Sequence, residues 1–199
     1  LAALPRTVLV PLDLTSEQSV ERLGAQLGGK VDILVNNAEI NRARAIGTRH
    51  GCETSRLEME TNYFGLLRLA QAFGPAMKAR AADGKAHAVA WVNLLSVFAH
   101  VGWPVQGTFS ASKAAALSLS QSLRADLMTG GGIRVVQVFP GPVDDEWNAE
   151  LPPPKPPPRP LPSPELRPEL EPKEELLPNV LLVGVAPLGV FVCDARLFC

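Results

Sequence analysis

The chain has 199 residues, 46% hydrophobic and 20% charged, a balance that fits a globular domain and excludes disorder along its whole length. Its 19 basic and 20 acidic side chains leave a net charge of −1 with no Lys/Arg cluster, which argues against nucleic acid as a partner. Cys52, Cys193 and Cys199 are widely spaced with no Cys-x-x-Cys pair, which suits a reducing, cytoplasmic compartment and argues against a disulfide scaffold.

The first segment, Thr7-Val-Leu-Val-Pro-Leu, reads as a strand closed by Asp13-Leu-Thr. Thr15-Ser-Glu-Gln18 has capping-box spacing, and Val20, Leu23 and Leu27 follow at helical intervals until Gly28-Gly29 stops them. Val31-Asp-Ile-Leu-Val35 is a second strand, ended by Asn36-Asn37. A long helical pattern covers residues 53–80, with Leu57, Phe64 and Leu67 on successive turns. Residues 88–95 then predict a strand, 109–128 a helix, and 133–139 a strand ended by Pro140-Gly141-Pro142. Apolar strands separated by helices imply an α/β fold, a three-layer doubly wound parallel sheet of Rossmann-like form. Ligands bind such sheets outside the carboxyl ends of the strands. Those ends hold Asp13, residues 36–39, residues 94–97 and residues 139–145.

Composition changes near residue 150. Twelve of the 19 prolines fall between Leu151 and Pro178, and neither a helix nor a central strand can run through them. A solvated polyproline II segment is expected, with a PxxP ligand for an SH3-type groove as its sharper reading. The apolar run that follows, Leu176 to Val192, is broken by Pro178, Gly184, Pro187 and Gly189. It falls short of the ~18 unbroken apolar residues of a membrane span. The chain thus divides into a domain over residues 1–150 and a proline-rich, disordered tail over 151–199.

Taken in order, Asp13-Leu-Thr, Asn36-Asn37-Ala38, Asn62, Ser96, Lys113 and Pro140-Gly141 resemble the short-chain dehydrogenase/reductase family over roughly residues 7–147. The resemblance implies an oxidoreductase that binds NAD or NADP and moves hydride between nicotinamide and a small alcohol or ketone. It assigns Asp13, Asn36, Asn37, Ala38, Pro140 and Gly141 to the cofactor, with Asp13 at the adenine. It assigns Asn62 and Ser96 to catalysis, and Lys113 both to catalysis and to the nicotinamide ribose. It also implies a homo-oligomer. Each residue has a plainer reading: Asp13 as an Asx turn, Asn62 as a locally satisfied buried amide, Ser96 as a loop serine. The thirteen-residue interval from Ser96 to position 109 is the family's usual spacing and favours the active-site role.

Departures from the family pattern are as informative. Where the family has Tyr four residues before the lysine, this chain reads Gly107-Thr-Phe109-Ser-Ala-Ser-Lys113. Phe109 keeps the ring but has no proton to give, and a positioned general acid or base is worth ~10²–10⁴ in rate. Glu39 stands where the family has Gly, and Asp144-Asp145 where it often has Thr or Ser. The glycine-rich pyrophosphate loop and the second strand are missing from the N-terminal side, and the proline tract takes the place of the last helix and strand. The resemblance therefore implies an N-terminally truncated member of impaired activity. Its rivals are a non-catalytic dinucleotide- or ligand-binding regulatory homologue, and a gene fragment with an out-of-frame tail. Tyr63, the only tyrosine, reads as a core ring. His50, His87 and His100 form no metal-ligand pattern with the cysteines.

Overall fold

The computed structural model describes residues 7–42, 46–48, 51–83, 89–142, 179–183 and 190–194. Strand β1 (Thr7–Val10) leads into a turn where the Asp13 carboxylate accepts hydrogen bonds from the Thr15 amide at 2.8 Å and hydroxyl at 2.7 Å. Helix α1 (Glu17–Leu27) is capped by Ser16, whose Oγ accepts from the Ser19 amide at 3.3 Å. The cap falls one residue beyond Thr15, whose hydroxyl donates to Asp13. Strand β2 (Ile33–Asn36) follows. Helix α2 (Glu53–Met59), a π-helical turn (Glu60–Phe64) and helix α3 (Gly65–Ala81) run on without a break, so the single helix expected over 53–80 contains one wide turn. Then come β3 (Ala90–Leu94), α4 (Gly107–Gly131) and β4 (Arg134–Val138). Gly132 ends α4 at φ 66°, a left-handed position that favours glycine.

Two further strands, β5 (Asn179–Val183) and β6 (Val190–Asp194), come from the segment whose composition suggests a disordered tail. The sheet order is β1-β6-β5-β2-β3-β4. Strand β5 lies parallel to β2, and β6 runs antiparallel to both of its neighbours, so the sheet is mixed rather than wholly parallel. Residues 179–183 and 190–194 thus share one sheet with strands from before residue 150. Val180-Leu-Leu-Val183 is an apolar run of strand length between Pro178 and Gly184, and the edge of β2 offers amides that need partners. The proline tract itself, with its PxxP motif, and Asp144-Asp145 lie outside the described residues.

Leu181, Leu34, Trp91 and Val135 stand side by side on β5, β2, β3 and β4, all buried. Against this row pack Leu66, Leu69, Phe73, Met77 and Leu127 of α3 and α4. The helices α1, α3 and α4 form one layer, α3 touching both others. On the opposite face Ile33, Val35 and Val92 are half-buried and Val136 and Val138 are exposed. Below the site, Trp91 Nε1 donates to Asn93 Oδ1 at 2.8 Å, and Asn93 Nδ2 donates to Ser120 Oγ at 2.8 Å, which pins α4 to β3. Among the described residues no helix is long and apolar enough to cross a membrane.

The α1–α3 contact depends on Gly24. A Cβ there would lie 2.9 Å from both Cβ and the carbonyl oxygen of Ala72. Gly24→Ala gains up to about 1 kcal/mol of helix propensity, but overpacking against backbone costs about 1–3 kcal/mol. Net destabilisation is expected in urea melts, whereas Gly29→Ala, with nothing within 4 Å, should lack that packing cost.

Candidate active site

At the carboxyl ends of the strands, backbone bonds tie the loop after β2 to β5 and the loop after β3 to β4. Asn37 N–H donates to Val183 O at 2.7 Å, Leu95 N–H to Val138 O at 2.8 Å, and Val97 N–H to Pro140 O at 3.0 Å. Between these loops opens a crevice of about 260 Å³ lined by Asn37, Glu39, Ser96, Phe109, Pro140 and Gly141, with Asn41, Leu94, Leu95, Phe98 and Pro142. Burial alternates along residues 36–39: Asn36 and Ala38 are buried, while Asn37 and Glu39 are exposed. Asn37 thus lines the crevice, and Asn36 and Ala38 pack beneath it. Asn36 Oδ1 is buried with no hydrogen-bond partner among the described residues.

Ser96 has φ 131° and is the one non-glycine among the described residues with positive φ. Such backbone costs of order 1–3 kcal/mol and clusters at functional sites. The bonds of Leu95 and Val97 to the β4 end hold it in place. Its Oγ accepts from the Phe98 amide at 3.2 Å, so the hydroxyl hydrogen is available to an oxygen in the crevice.

Asn62 sits in the π-helical turn, a feature frequent at functional sites. Its Oδ1 accepts from Ile40 N–H at 2.8 Å, and its Nδ2 donates to Ile40 O at 2.9 Å and Ser112 Oγ at 2.8 Å. Ser112 in turn donates to Phe109 O at 2.8 Å. Asn62 therefore ties the loop after β2 to the first turns of α4 and is itself one layer removed from the crevice. Glu58, fully buried, reinforces the tie by accepting from the Arg42 amide at 2.9 Å and the Thr108 hydroxyl at 2.6 Å.

Lys113 reaches the site from α4. Its buried ammonium donates to Leu94 O at 3.2 Å, pairs with Glu39 Oε2 at 2.6 Å, and lies 5.6 Å from the centroid of the Phe109 ring. Burial pushes the Lys113 pKa down, opposed by the charge and hydrogen bond of Glu39. A lysine depressed on folding binds fewer protons in the folded than in the unfolded chain between its folded pKa and 10.5. Stability from this group should therefore rise with pH through that window. Urea melts of the parent and Lys113→Met at a series of alkaline pH values should show the parent gaining on the variant as pH approaches 10.5.

Asp13 lies on the far side of β6 and β5 from β2, outside the crevice. Its carboxyl is held below the ordinary carboxylate range, first by the Thr15 hydroxyl and then by the Thr15 amide. Tyr63 packs edge-on against Phe64 with centroids 4.9 Å apart. Sequence reasoning placed a carboxylate near the ribose site but missed that Glu39 pairs with Lys113. It also missed Ser112 and Glu58, whose only signal was polarity at helix positions facing inward.

Residues 2–155 match the short chain dehydrogenase family. The chain is 36% identical over 160 residues to short-chain dehydrogenase PC-15 of Penicillium crustosum, covering 75% of this chain and 55% of that protein. It is 32% identical over 153 residues to farnesol dehydrogenase of Aedes aegypti, covering 73% and 60% respectively. A short-chain dehydrogenase of Burkholderia cenocepacia solved in complex with NADP superposes with a TM-score of 0.65 at 39% identity, covering 73% of this chain and 57% of that one. A short-chain dehydrogenase/reductase of Burkholderia phymatum in complex with NAD gives a TM-score of 0.59 at 28% identity, covering 67% and 47%. The chain spans about half the length of the curated relatives it matches.

Proposed function

Because the chain belongs to the short-chain dehydrogenase/reductase family, we propose that it takes NAD or NADP and transfers hydride between the nicotinamide and a small alcohol or ketone. The observation that carries this reading is the convergence of Asn37, Ser96, the Phe109 ring and Pro140-Gly141 on one crevice at the strand ends, with Lys113 behind it. At about 260 Å³ the crevice is smaller than the ~300–1,000 Å³ of a whole-ligand pocket and suits the nicotinamide-ribose half. Its polar groups fit that half. The Lys113 ammonium would donate to a ribose oxygen, and Asn37, Pro140 and Gly141 would border the ring. Asn36 and Ala38 shape this wall from beneath, and Asp13 serves the adenine end.

When bound, the cofactor supplies the carbon that gives or takes hydride. Ser96 donates its hydroxyl hydrogen to the substrate oxygen, and Asn62 is a positioning residue acting through Ile40 and Ser112. Without a phenol at position 109, the family's usual acid is missing and carbonyl reduction is impaired.

Titration with NADH and NADPH, read by nicotinamide fluorescence, followed by a panel of ketones and alcohols, tests the reading. Binding with slow turnover is expected, and failure to bind either cofactor overturns it. Phe109 favours one rival, a dinucleotide-binding homologue without chemistry, for which binding would come with no turnover at all.

The proposed setting is a reducing cytoplasm, where the exposed Cys52 stays a thiol. A second copy of the chain is the proposed partner, docking in the apolar groove between α3 and α4 lined by Leu67, Ala70, Gly74, Leu119 and Leu123. Sedimentation of the parent and Leu119→Lys checks it.

A further inference from the structure

Position 109 deprives Lys113 of a phenol, yet the ammonium has an acidic group beside it. Glu39 Oε2 lies 2.6 Å from Lys113 Nζ, and the Glu39 side chain is 46% exposed, unlike the buried lysine. The carboxylate lines the same crevice as Ser96 and Phe109. Among the described residues the other candidate carboxylates are committed elsewhere: Glu58 is fully buried and accepts from the Arg42 amide and the Thr108 hydroxyl, and Asp13 is held by Thr15 across the sheet. A carboxylate accepts on two oxygens, and the ion pair engages Oε2, which leaves Oε1 for a ligand.

We propose that Glu39 is the proton acceptor of this site, taking the hydroxyl proton of an alcohol held against Ser96 in the role of the absent phenol. The proposal rests on the hydride-transfer reading above. The alcohol O–H bond breaks and its proton passes to Glu39, while the O–H electron pair forms the new C=O bond. The carbinol C–H bond breaks, and its hydrogen leaves with both electrons for oxidised nicotinamide, NAD⁺ or NADP⁺. The alcohol is oxidised to a ketone and the nicotinamide is reduced. Glu39, open to solvent, then returns its proton to water. The Ser96 hydroxyl donates to the reacting oxygen throughout, and the Lys113 ammonium balances the carboxylate charge between turnovers.

The test uses the full chain with NAD⁺ and NADP⁺ and a panel of secondary alcohols such as 2-butanol and cyclohexanol. Turnover is read as reduced-nicotinamide absorbance, and cofactor binding is read separately by calorimetry. Glu39→Gln is expected to lower kcat by about 10² or more while the cofactor still binds. Glu39→Asp should keep part of the activity, and Glu39→Gly should regain activity on addition of formate, a small carboxylate able to stand in the vacated space. A merely structural role would not respond to formate. Glu39→Gln that binds cofactor and turns over like the parent overturns the proposal and leaves the hydride-transfer reading standing. A parent that binds cofactor but oxidises no alcohol also overturns it. A parent that binds neither cofactor removes both.

Discussion

Phe109→Tyr is expected to raise ketone reduction by about 10² or more, the lower end of what a positioned general acid contributes. The ring already stands on the wall of the crevice with Ser96 and Glu39, its centroid 5.6 Å from Lys113 Nζ. It packs edge-on against Phe98, with ring centroids 6.5 Å apart. Lys113, one helical turn further along α4, would favour the phenolate and so bring the hydroxyl's pKa toward the working range. The gain should therefore depend on the ammonium, and Phe109→Tyr combined with Lys113→Ala should lose most of it. Glu39 enters the same balance, because carboxylate and phenol would compete for Lys113. Removing the carboxylate should raise the reductive activity of the Tyr variant further while lowering the parent's oxidative activity. A Tyr variant that binds cofactor and reduces none of a ketone panel would defeat the assignments of Ser96 and Asn62.

The parts of this site that were legible in the sequence are those set by local signals. Apolar runs of strand length found β1 to β4, and their punctuation by Asn36-Asn37 and Pro140-Gly141 found the loops that now border the crevice. Asn62 was noticeable because asparagine is a poor helix former, and the π-helical turn is where that cost is absorbed. Pairings between distant residues were not legible. Glu39 and Lys113 meet only because β2 and α4 converge at one end of the sheet, and no periodicity reports that. The outward orientation of Glu39 follows from alternation along residues 36–39, which places it with Asn37 and opposite Asn36 and Ala38. Asp13 shows the reverse case: its plainer reading as a turn residue describes the bonds its carboxylate accepts from Thr15. Strand β5 was hidden by its neighbourhood. Twelve prolines just before it drew attention to composition, although a short apolar run bounded by Pro178 and Gly184 is itself the signature of a buried strand.

Leu181→Ala should accordingly cost about 2–5 kcal/mol of stability, the range for leucine truncation in a packed core. Leu181 has 0% exposure and stands in register with Leu34 on β2, which in turn neighbours Trp91 on β3. Removing its branched end leaves a void in the row that α3 and α4 pack against, and backbone-paired strands cannot close in to fill it. Val8→Ala on β1 is the internal control, since Val8 is 60% exposed and surface substitutions usually stay within about 0.5 kcal/mol. Urea melts should show a lower midpoint for Leu181→Ala and little change for Val8→Ala. A double-mutant cycle sharpens the comparison. Leu34→Ala and Leu181→Ala enlarge one shared space, so their costs should depart from additivity by about 0.5–3 kcal/mol. A C-terminal segment outside the sheet would give neither effect: Leu181→Ala would melt like Val8→Ala, and its cost would simply add to that of Leu34→Ala. That outcome would return residues 179–183 to the tail and leave the edge of β2, beside the Asn36-Asn37 wall of the crevice, without its strand.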